Sequence, residues 1–430
     1  MASFIFDVFR VGLSKGAIII FGLASSIITA RYLGPEGNGI IAGLLVYPSL
    51  FMTIGSLGIR QSTTYYLGKK IYSEEEIKTA ITQIWMLSTV ISVVVCFFLM
   101  YYLSNSGNNL LWVILALLPI PFSLFNTYNS GIFLGKNDIK TFNKINWIPS
   151  LISLVAMAIF LMALGFGITG ALIAKVGGVL FMFIFLLFKN KFLKAFSFAY
   201  DWNIIKKMLS LGLIYALALF IINLNYKVDI ILLDQLSSPF EMGVYSKGSG
   251  ITQYLWQIPM LFSTIVFARS AVSKNDSAFS HKVSQLLRVS FILIGLGSIL
   301  LIMLSELIIV GMYGEEFRGS ITVLNYLLPG VLILTVYKVM NMDLAGKGKP
   351  WISMVAMIPS LIINIIANFF LIPEYGADGA AISSTISYTI AGILFLASYS
   401  KETGIPIKQI LYFKKSDFNP IINIAKRIKK

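Results

Sequence analysis

Only one cysteine, Cys96, and one histidine, His281, occur in 430 residues. That pair cannot build a disulfide framework or a cysteine–histidine zinc site. Cys96 lies in an apolar run and His281 in a polar stretch, so no thiol–imidazole pair or Ser–His–Asp triad is assembled either. Charge is equally scarce: 12% of the residues are Asp, Glu, Lys or Arg, about half the fraction of a soluble domain. Long polar segments are missing as well. The stretches "SNSGNN", "GFG", "GMYGEEFRGS" and "PEYGADG" are too short to fold independently, which leaves no external domain to house catalysis. No phosphate-cradling glycine loop is evident, so direct use of ATP and a bound cofactor are not expected.

The remainder is apolar. Hydrophobic residues make up 57% of the chain, in repeated runs of about 20, the length that crosses a bilayer as a helix. The first run, "GAIIIFGLASSIITA" behind Arg10 and Lys15, has the look of a secretory signal. With so many later runs it reads as a retained first span. Twelve spans are expected, at roughly 11–31, 38–59, 80–103, 110–134, 145–165, 167–188, 209–233, 241–268, 287–310, 320–344, 351–372 and 378–399. The net charge of +15 is then a loop asymmetry and not a nucleic-acid signature. Of the 34 Lys and Arg, only Arg31 and Arg318 fall on one side, and Lys175, Lys227, Lys247 and Lys338 fall inside spans. The rest lie at the N-terminus, in the loops of the other side and in the C-terminal tail, which predicts both termini in the cytoplasm. Trp85, Trp112, Trp147, Trp202 and Trp351 fall near span starts, as an interfacial aromatic belt requires. The tail "QILYFKKSDFNPIINIAKRIKK" mixes Lys and Arg with Phe and Ile, fitting either an interfacial helix on an anionic leaflet or a solvated end.

The halves of the chain match each other. "WIPSLISLVAMAIFLMALGFGITGALIA" from Trp147 recurs as "MIPSLIINIIANFFLIPEYGADGAAIS" from Met357. Pro149 aligns with Pro359 and, after a one-residue shift, Gly170 and Ala171 align with Gly379 and Ala380. "LLP" at 117–119 recurs at 327–329, and "LSKG" at 13–16 recurs as "LSLG" at 209–212, followed by Gly39 against Gly243. Each repeat holds six spans, an even number, so both enter the membrane in the same direction and their axis runs along its normal. The expected organisation is an N-terminal six-helix lobe over 1–190, a cytoplasmic linker over 191–208, a C-terminal six-helix lobe over 209–400, and a basic tail over 401–430. Pro149 and Pro359 are expected to kink spans five and eleven.

Four stretches carry a family resemblance: "ARYLGPEGNGI", "DIILLDQLSSPFEMGVYSKGSGI", "ELIIVGMYGEEF" and "NFFLIPEYGADGAAISSTIS". In this order and across nearly the whole chain they resemble the polysaccharide transport proteins. These are O-antigen-type flippases for lipid-linked oligosaccharides, in the superfamily that includes multidrug and toxin extrusion antiporters and peptidoglycan-lipid flippases. The resemblance implies an all-α integral membrane protein, with twelve transmembrane helices in two six-helix pseudo-symmetric lobes around a V-shaped central cavity. It further implies transfer of a polyprenyl-pyrophosphate-linked oligosaccharide from the inner to the outer leaflet of a bacterial cytoplasmic membrane, not catalysis of a reaction. Other surface-polysaccharide assembly proteins and membrane lipids are the partners such a role implies. A cation-coupled drug antiporter on the same fold, or another lipid exporter of the superfamily, is the alternative cargo reading.

Ionised side chains within spans cost roughly 2.5–3.5 kcal/mol each on insertion scales, so they usually have a use. Arg31, Lys175, Lys227, Lys247 and Lys338 are the expected contacts for an anionic cargo, since cations facing a wet cavity replace part of the hydration of a pyrophosphate. Each has a plainer reading: Lys175 and Lys338 can extend to the headgroups, Arg31 sits at a helix end, and Arg60 fits an ordinary loop cation. Asp229 and Asp234 are candidates for coupling to H+ or Na+, with pairing between helices as the competing role. In a continuous helix Lys227 and Asp229 would face nearly opposite ways. Asn223, Asn225, Asn364 and Asn368 fit either a glycan path or bonds between helices.

Overall fold

The computed structural model describes residues 2–136, 138, 141, 146–194, 201–257, 259–260, 266–267, 269–270, 276–414 and 417, with side chains from Ser14 onward except that of Asp276. Residues 195–200 of the expected linker and 418–430 of the basic tail lie outside them. Among the described residues the chain is helical and has no strand. The helices are α1 (Ala2–Ile54), α2 (Ile59–Gly68), α3 (Glu74–Leu103), α4 (Leu110–Leu117), α5 (Pro119–Gly135), α6 (Ile148–Met157) and α7 (Gly167–Lys189). They continue as α8 (Trp202–Asn225), α9 (Val228–Leu236), α10 (Pro239–Leu255), α11 (Asp276–Tyr313), α12 (Ser320–Gly346), α13 (Ile352–Thr403) and α14 (Ile407–Leu411).

Among the described residues eight segments are long and apolar enough to cross a membrane, and two of these, Ser14–Gly68 and Ile352–Thr403, hold 55 and 52 residues. Each is long enough for two crossings of about 20 residues. Counted that way, and with the shorter Ile148–Ala163 segment and α10 added, twelve spans are accommodated.

Both double spans turn on a glycine. Gly34 has φ 60°, ψ −173° and Gly376 has φ 53°, ψ −126° inside otherwise continuous helices; the former is a conformation essentially restricted to glycine. Pro35 follows Gly34 and has no N–H to leave unpaired. The Asn38 amide donates to the carbonyls of Gly34 (2.7 Å) and Thr29 (2.9 Å). This satisfies backbone oxygens freed at the turn, as an apolar setting demands.

Packing divides the chain into two compact units: Met1–Gly243 with Met312–Glu316, and Val244–Gly311 with Phe317–Lys430. The first unit therefore includes α8 and α9. Its core contains Ile77, Ile81, Phe125, Tyr128 and Met208 in one cluster. A second cluster joins Leu44, Tyr47, Cys96, Met100 and Leu124, with Ile230 and Ile231 of α9 laid against it. Trp85 packs edge-on against Phe125 and donates to the Pro121 carbonyl (2.8 Å). It therefore belongs to the core more than to an interfacial belt, whereas Trp202 and Trp351 are exposed.

Within this unit two helix crossings bring backbone onto backbone. A methyl group on Gly39 would lie 1.8 Å from the carbonyl oxygen of Pro239, and one on Gly243 would lie 1.9 Å from that of Pro35. Both glycines sit four residues after a proline, so the two aligned positions of the repeat touch each other reciprocally. At the second crossing Gly212 approaches the Leu57 carbonyl, and Ser62 donates to the Met208 carbonyl (2.6 Å). The other aligned pair has its own shared geometry. A methyl on Gly170 would meet the Phe160 carbonyl at 2.8 Å, and one on Gly379 the Leu371 carbonyl at 2.3 Å.

In the second unit α12 and α13 pack through small residues. Gly392 fits against the Ile333 carbonyl and Gly330 against Thr385. Ser387 donates to the Ser360 carbonyl (2.9 Å) and the Asn368 amide to the Asn364 side-chain oxygen (3.1 Å). Asn364 and Asn368 are fully buried, so the structure uses them inside the helix packing and not on an open path.

Two expectations about helix geometry need correction. Pro149 occupies the first turn of α6, where its missing N–H costs no bond, so it does not kink span five. The irregularity there is the π-helical turn Ala158–Ala163 that follows α6. "NYKVDIILLD" is likewise not one helix, because α8 stops at Asn225 and α9 starts at Val228.

Gly39→Ala and Gly243→Ala should each destabilise the protein by about 1–3 kcal/mol, because a methyl group has no room beside a carbonyl. Gly22→Ala, with open space around it, should not. Thermal melting of the three purified variants checks this; equal melting of all three would remove the crossing from the account of stability.

Candidate functional site

The break between α8 and α9 is the centre of the first unit's charge chemistry. The sequence "NLNYKVD" supplies asparagines and a β-branched valine, which hold a helix weakly. Lys227, at φ −120° and ψ −17°, is the residue outside helical geometry. Its N–H reaches the Leu224 carbonyl (3.1 Å), and its own carbonyl accepts from Ile230 (3.1 Å) and Ile231 (3.3 Å). Non-helical backbone at membrane depth is tolerated where it is buried in protein or lines a wet cavity. Asp229 then falls in the first turn of α9, where the helix dipole favours a carboxylate. It is fully buried, as is Asn225.

Lys227 is half-buried, and Lys175 on α7 is exposed. Both lysines belong to the first unit. Among the described residues no carboxylate stands within salt-bridge distance of either lysine. A cationic side chain without a counter-ion makes a place that an anion would stabilise.

The other expected residues occupy different settings. The Arg31 Nε donates to the Met312 carbonyl (2.9 Å), and Gly314 lies against its guanidinium. Arg31 is thus tied to the 312–316 segment of its own unit. The Asp234 carboxylate, nearly buried, accepts from the Asn105 N–H (3.3 Å), while the Asn105 side chain donates back to the Asp234 carbonyl. Gln235 reaches the Leu103 carbonyl beside it. The end of α9 is thereby clipped to the loop after α3. In the second unit Lys338 lies over the Trp256 ring at 4.3 Å, a cation–π contact that offers its charge an alternative to water. Lys247 is buried. Asn223 donates to the Leu219 carbonyl of its own helix (2.8 Å).

Residue-by-residue reading of the sequence missed the most developed polar cluster. Asp343, fully buried, accepts from Tyr399 (2.6 Å), Ser280 (2.7 Å) and Ser270, and pairs with Lys347 (3.1 Å). The only sequence signal was the four-residue spacing of Asp343 and Lys347, which puts them on neighbouring turns of α12. The other donors come from α11, α13 and the segment at Ser270, distant in sequence. Arg288 was likewise counted as an ordinary loop-side cation. It forms a bidentate pair with Asp417 at 2.7 and 2.8 Å and is itself buried.

A polytopic bundle of twelve spans, with a charged helix break and small-residue crossings, defines a membrane transporter of the multidrug/oligosaccharidyl-lipid/polysaccharide exporter fold. The chain belongs to the polysaccharide biosynthesis protein family, whose model matches residues 6–269; the MatE model matches residues 215–370. An uncharacterized membrane protein of Methanocaldococcus jannaschii is 23% identical over 408 residues, covering 90% of this chain and 96% of that one. Among solved structures, the lipid II flippase MurJ in an inward closed conformation superimposes with a TM-score of 0.75 at 16% identity, covering 96% of this chain and 95% of that one. An inward-facing multidrug resistance MATE family transporter gives 0.73 at 16% identity, covering 91% and 96%. A superfamily transporter from Pyrococcus furiosus, described as having a binding pocket of reverse polarity, gives 0.66 at 15% identity, covering 94% and 95%. These likenesses establish the fold, and the proteins they name are transporters and flippases, not enzymes.

Asp343→Asn should cost roughly 3–5 kcal/mol, since it leaves Lys347 facing buried groups without its counter-charge. Adding Lys347→Met should restore part of that loss. Melting curves for the single and double variants decide it, and a double variant no better than the single one would refute the pairing.

Proposed function

We propose that this protein is a flippase that carries a polyprenyl-pyrophosphate-linked oligosaccharide from the inner to the outer leaflet of the cytoplasmic membrane, supplying surface-polysaccharide assembly. The supporting observation is that Lys227, half-buried at the helix break, and Lys175, exposed on α7, have no carboxylate within salt-bridge distance among the described residues. A cargo bearing a pyrophosphate supplies that counter-charge, and lysines acting as point charges tolerate a diphosphate in several orientations. A cationic drug gains nothing there. The family match and the MurJ-like fold agree with a lipid-linked cargo. Arg31, Lys247 and Lys338 complete the proposed set of cargo contacts.

Transport follows alternating access between two six-span repeats, residues 1–190 and 209–400, with both termini in the cytoplasm. Asp229, in the first turn after the break, is the residue we assign to coupling with H+ or Na+; Asp234 is the weaker candidate because its carboxylate already holds the loop at Asn105. The MatE match and the MATE-like fold support a second reading, in which a cation-coupled antiporter exports a small molecule.

The deciding measurement is the leaflet distribution of polyprenyl-linked oligosaccharide in the native host with the gene deleted and then restored. Cytoplasmic accumulation relieved by the wild type supports the flippase; altered drug tolerance without accumulation supports the antiporter. Lys227→Ala and Lys175→Ala should each reduce relief several-fold at unchanged protein level. Asp229→Asn should abolish the dependence of transport on a proton or sodium gradient, and an unaltered dependence would exclude Asp229 from coupling.

A further inference from the structure

α11 contains 38 residues, roughly 57 Å at 1.5 Å per residue, against a hydrocarbon layer of about 30 Å. A helix of that length exceeds the layer, and its polar first turns are the end suited to the headgroup level. They carry His281, Lys282, Gln285 and Arg288 on one face, at the spacing of a helical stripe. Opposite this stripe runs the segment that follows α13. Together His281, Lys282, Gln285, Arg288, Gln409, Lys414 and Asp417 line a cavity of about 370 Å3, within the ~300–1,000 Å3 range of small-ligand sites.

The walls are fixed from within. Arg288 binds Asp417 through two parallel bonds and donates through its other terminal nitrogen to the carbonyls of Gln409 (3.2 Å) and Ile410 (2.8 Å). Asp417 also accepts from the Lys414 N–H (2.8 Å). These bonds from Arg288 hold the Asp417 carboxyl below the usual carboxylate range against the opposing effect of burial. The one acidic group in the cavity is thus neutralised by a buried guanidinium. What remains at the mouth is positive, because Lys282 and Lys414 are both exposed and neither has a carboxylate within 4 Å among the described residues.

The surroundings indicate where an anion would come from. α14 buries Ile410 and leaves Ile407 and Leu411 outward, and Tyr412 and Phe413 follow at 61% and 50% exposure. Aromatic and aliphatic side chains beside lysines are the composition of an interfacial segment. A free phosphate would have no use for them, whereas acyl chains would.

We propose that this cavity is a headgroup site for an anionic phospholipid, its phosphate between Lys282 and Lys414 and its chains along Leu411, Tyr412 and Phe413. Basic pockets beside transmembrane helices on the cytoplasmic side bind such headgroups elsewhere by the same electrostatics. The site is separate from Lys175 and Lys227 and does not depend on the identity of the cargo.

The test is lipid titration of the purified full-length protein in detergent, read by native mass spectrometry and thermal melting. Phosphatidylglycerol should be retained at more than tenfold lower concentration than phosphatidylcholine and should raise the melting temperature. Lys282→Gln/Lys414→Gln should lose at least fivefold of that preference while melting normally without lipid. Lys408→Gln, outside the cavity on the same segment, should keep it. Equal retention of the two lipids, or an undiminished preference in the double variant, would overturn the site. Displacement of phosphatidylglycerol by millimolar inorganic phosphate would overturn the lipid assignment in favour of a free anion.

Discussion

In hydrocarbon no water is present to accept a hydrogen bond, so every backbone N–H and C=O must find its partner inside the protein. That one constraint shapes this molecule more than any individual contact. It makes the chain helical throughout the described residues, and it makes every departure from a helix informative. The turn at Gly34 is closed by an asparagine that serves two carbonyls at once. At Lys227 the break is bridged by short-range backbone bonds. Where helices cross at Gly39 and Gly243, absence of a side chain lets peptide groups come close enough for dispersion and dipole forces to act.

Polar side chains obey the same constraint in two different ways. Asp343 is surrounded by hydroxyl donors from several helices and a lysine, a filled shell whose natural role is to fix those helices together. Lys175 and Lys227 have the opposite character, since among the described residues no carboxylate lies within salt-bridge distance of either. The first arrangement is complete as it stands. The second is the one that the proposed cargo would complete.

Much of this was legible in the sequence because membrane insertion writes itself into composition. Run lengths, the scarcity of charge and the shortness of the polar segments define a multi-pass helical protein. The repeat was visible in Gly39 and Gly243 and in Gly170 and Gly379, because glycine at a close backbone approach has no substitute. The break at Lys227 was not visible, since no proline or glycine marks it and its residues are only weakly disfavoured in a helix. Pro149 misled for the reverse reason: a proline signals a kink inside a helix but is innocuous in a first turn, and apolar sequence does not reveal where a helix begins. The partners of Asp343 and Arg288 were not visible because they are side chains far along the chain, a relation that periodicity does not encode.

The contact of Gly39 and Gly243 is reciprocal. Each glycine follows a proline by four residues and meets the carbonyl of the other's proline. That is the form of an isologous contact, the relation that two identical subunits make across a twofold axis. The crossing therefore constrains both matched stretches at once, while Lys227 and its helix break belong to one of them alone.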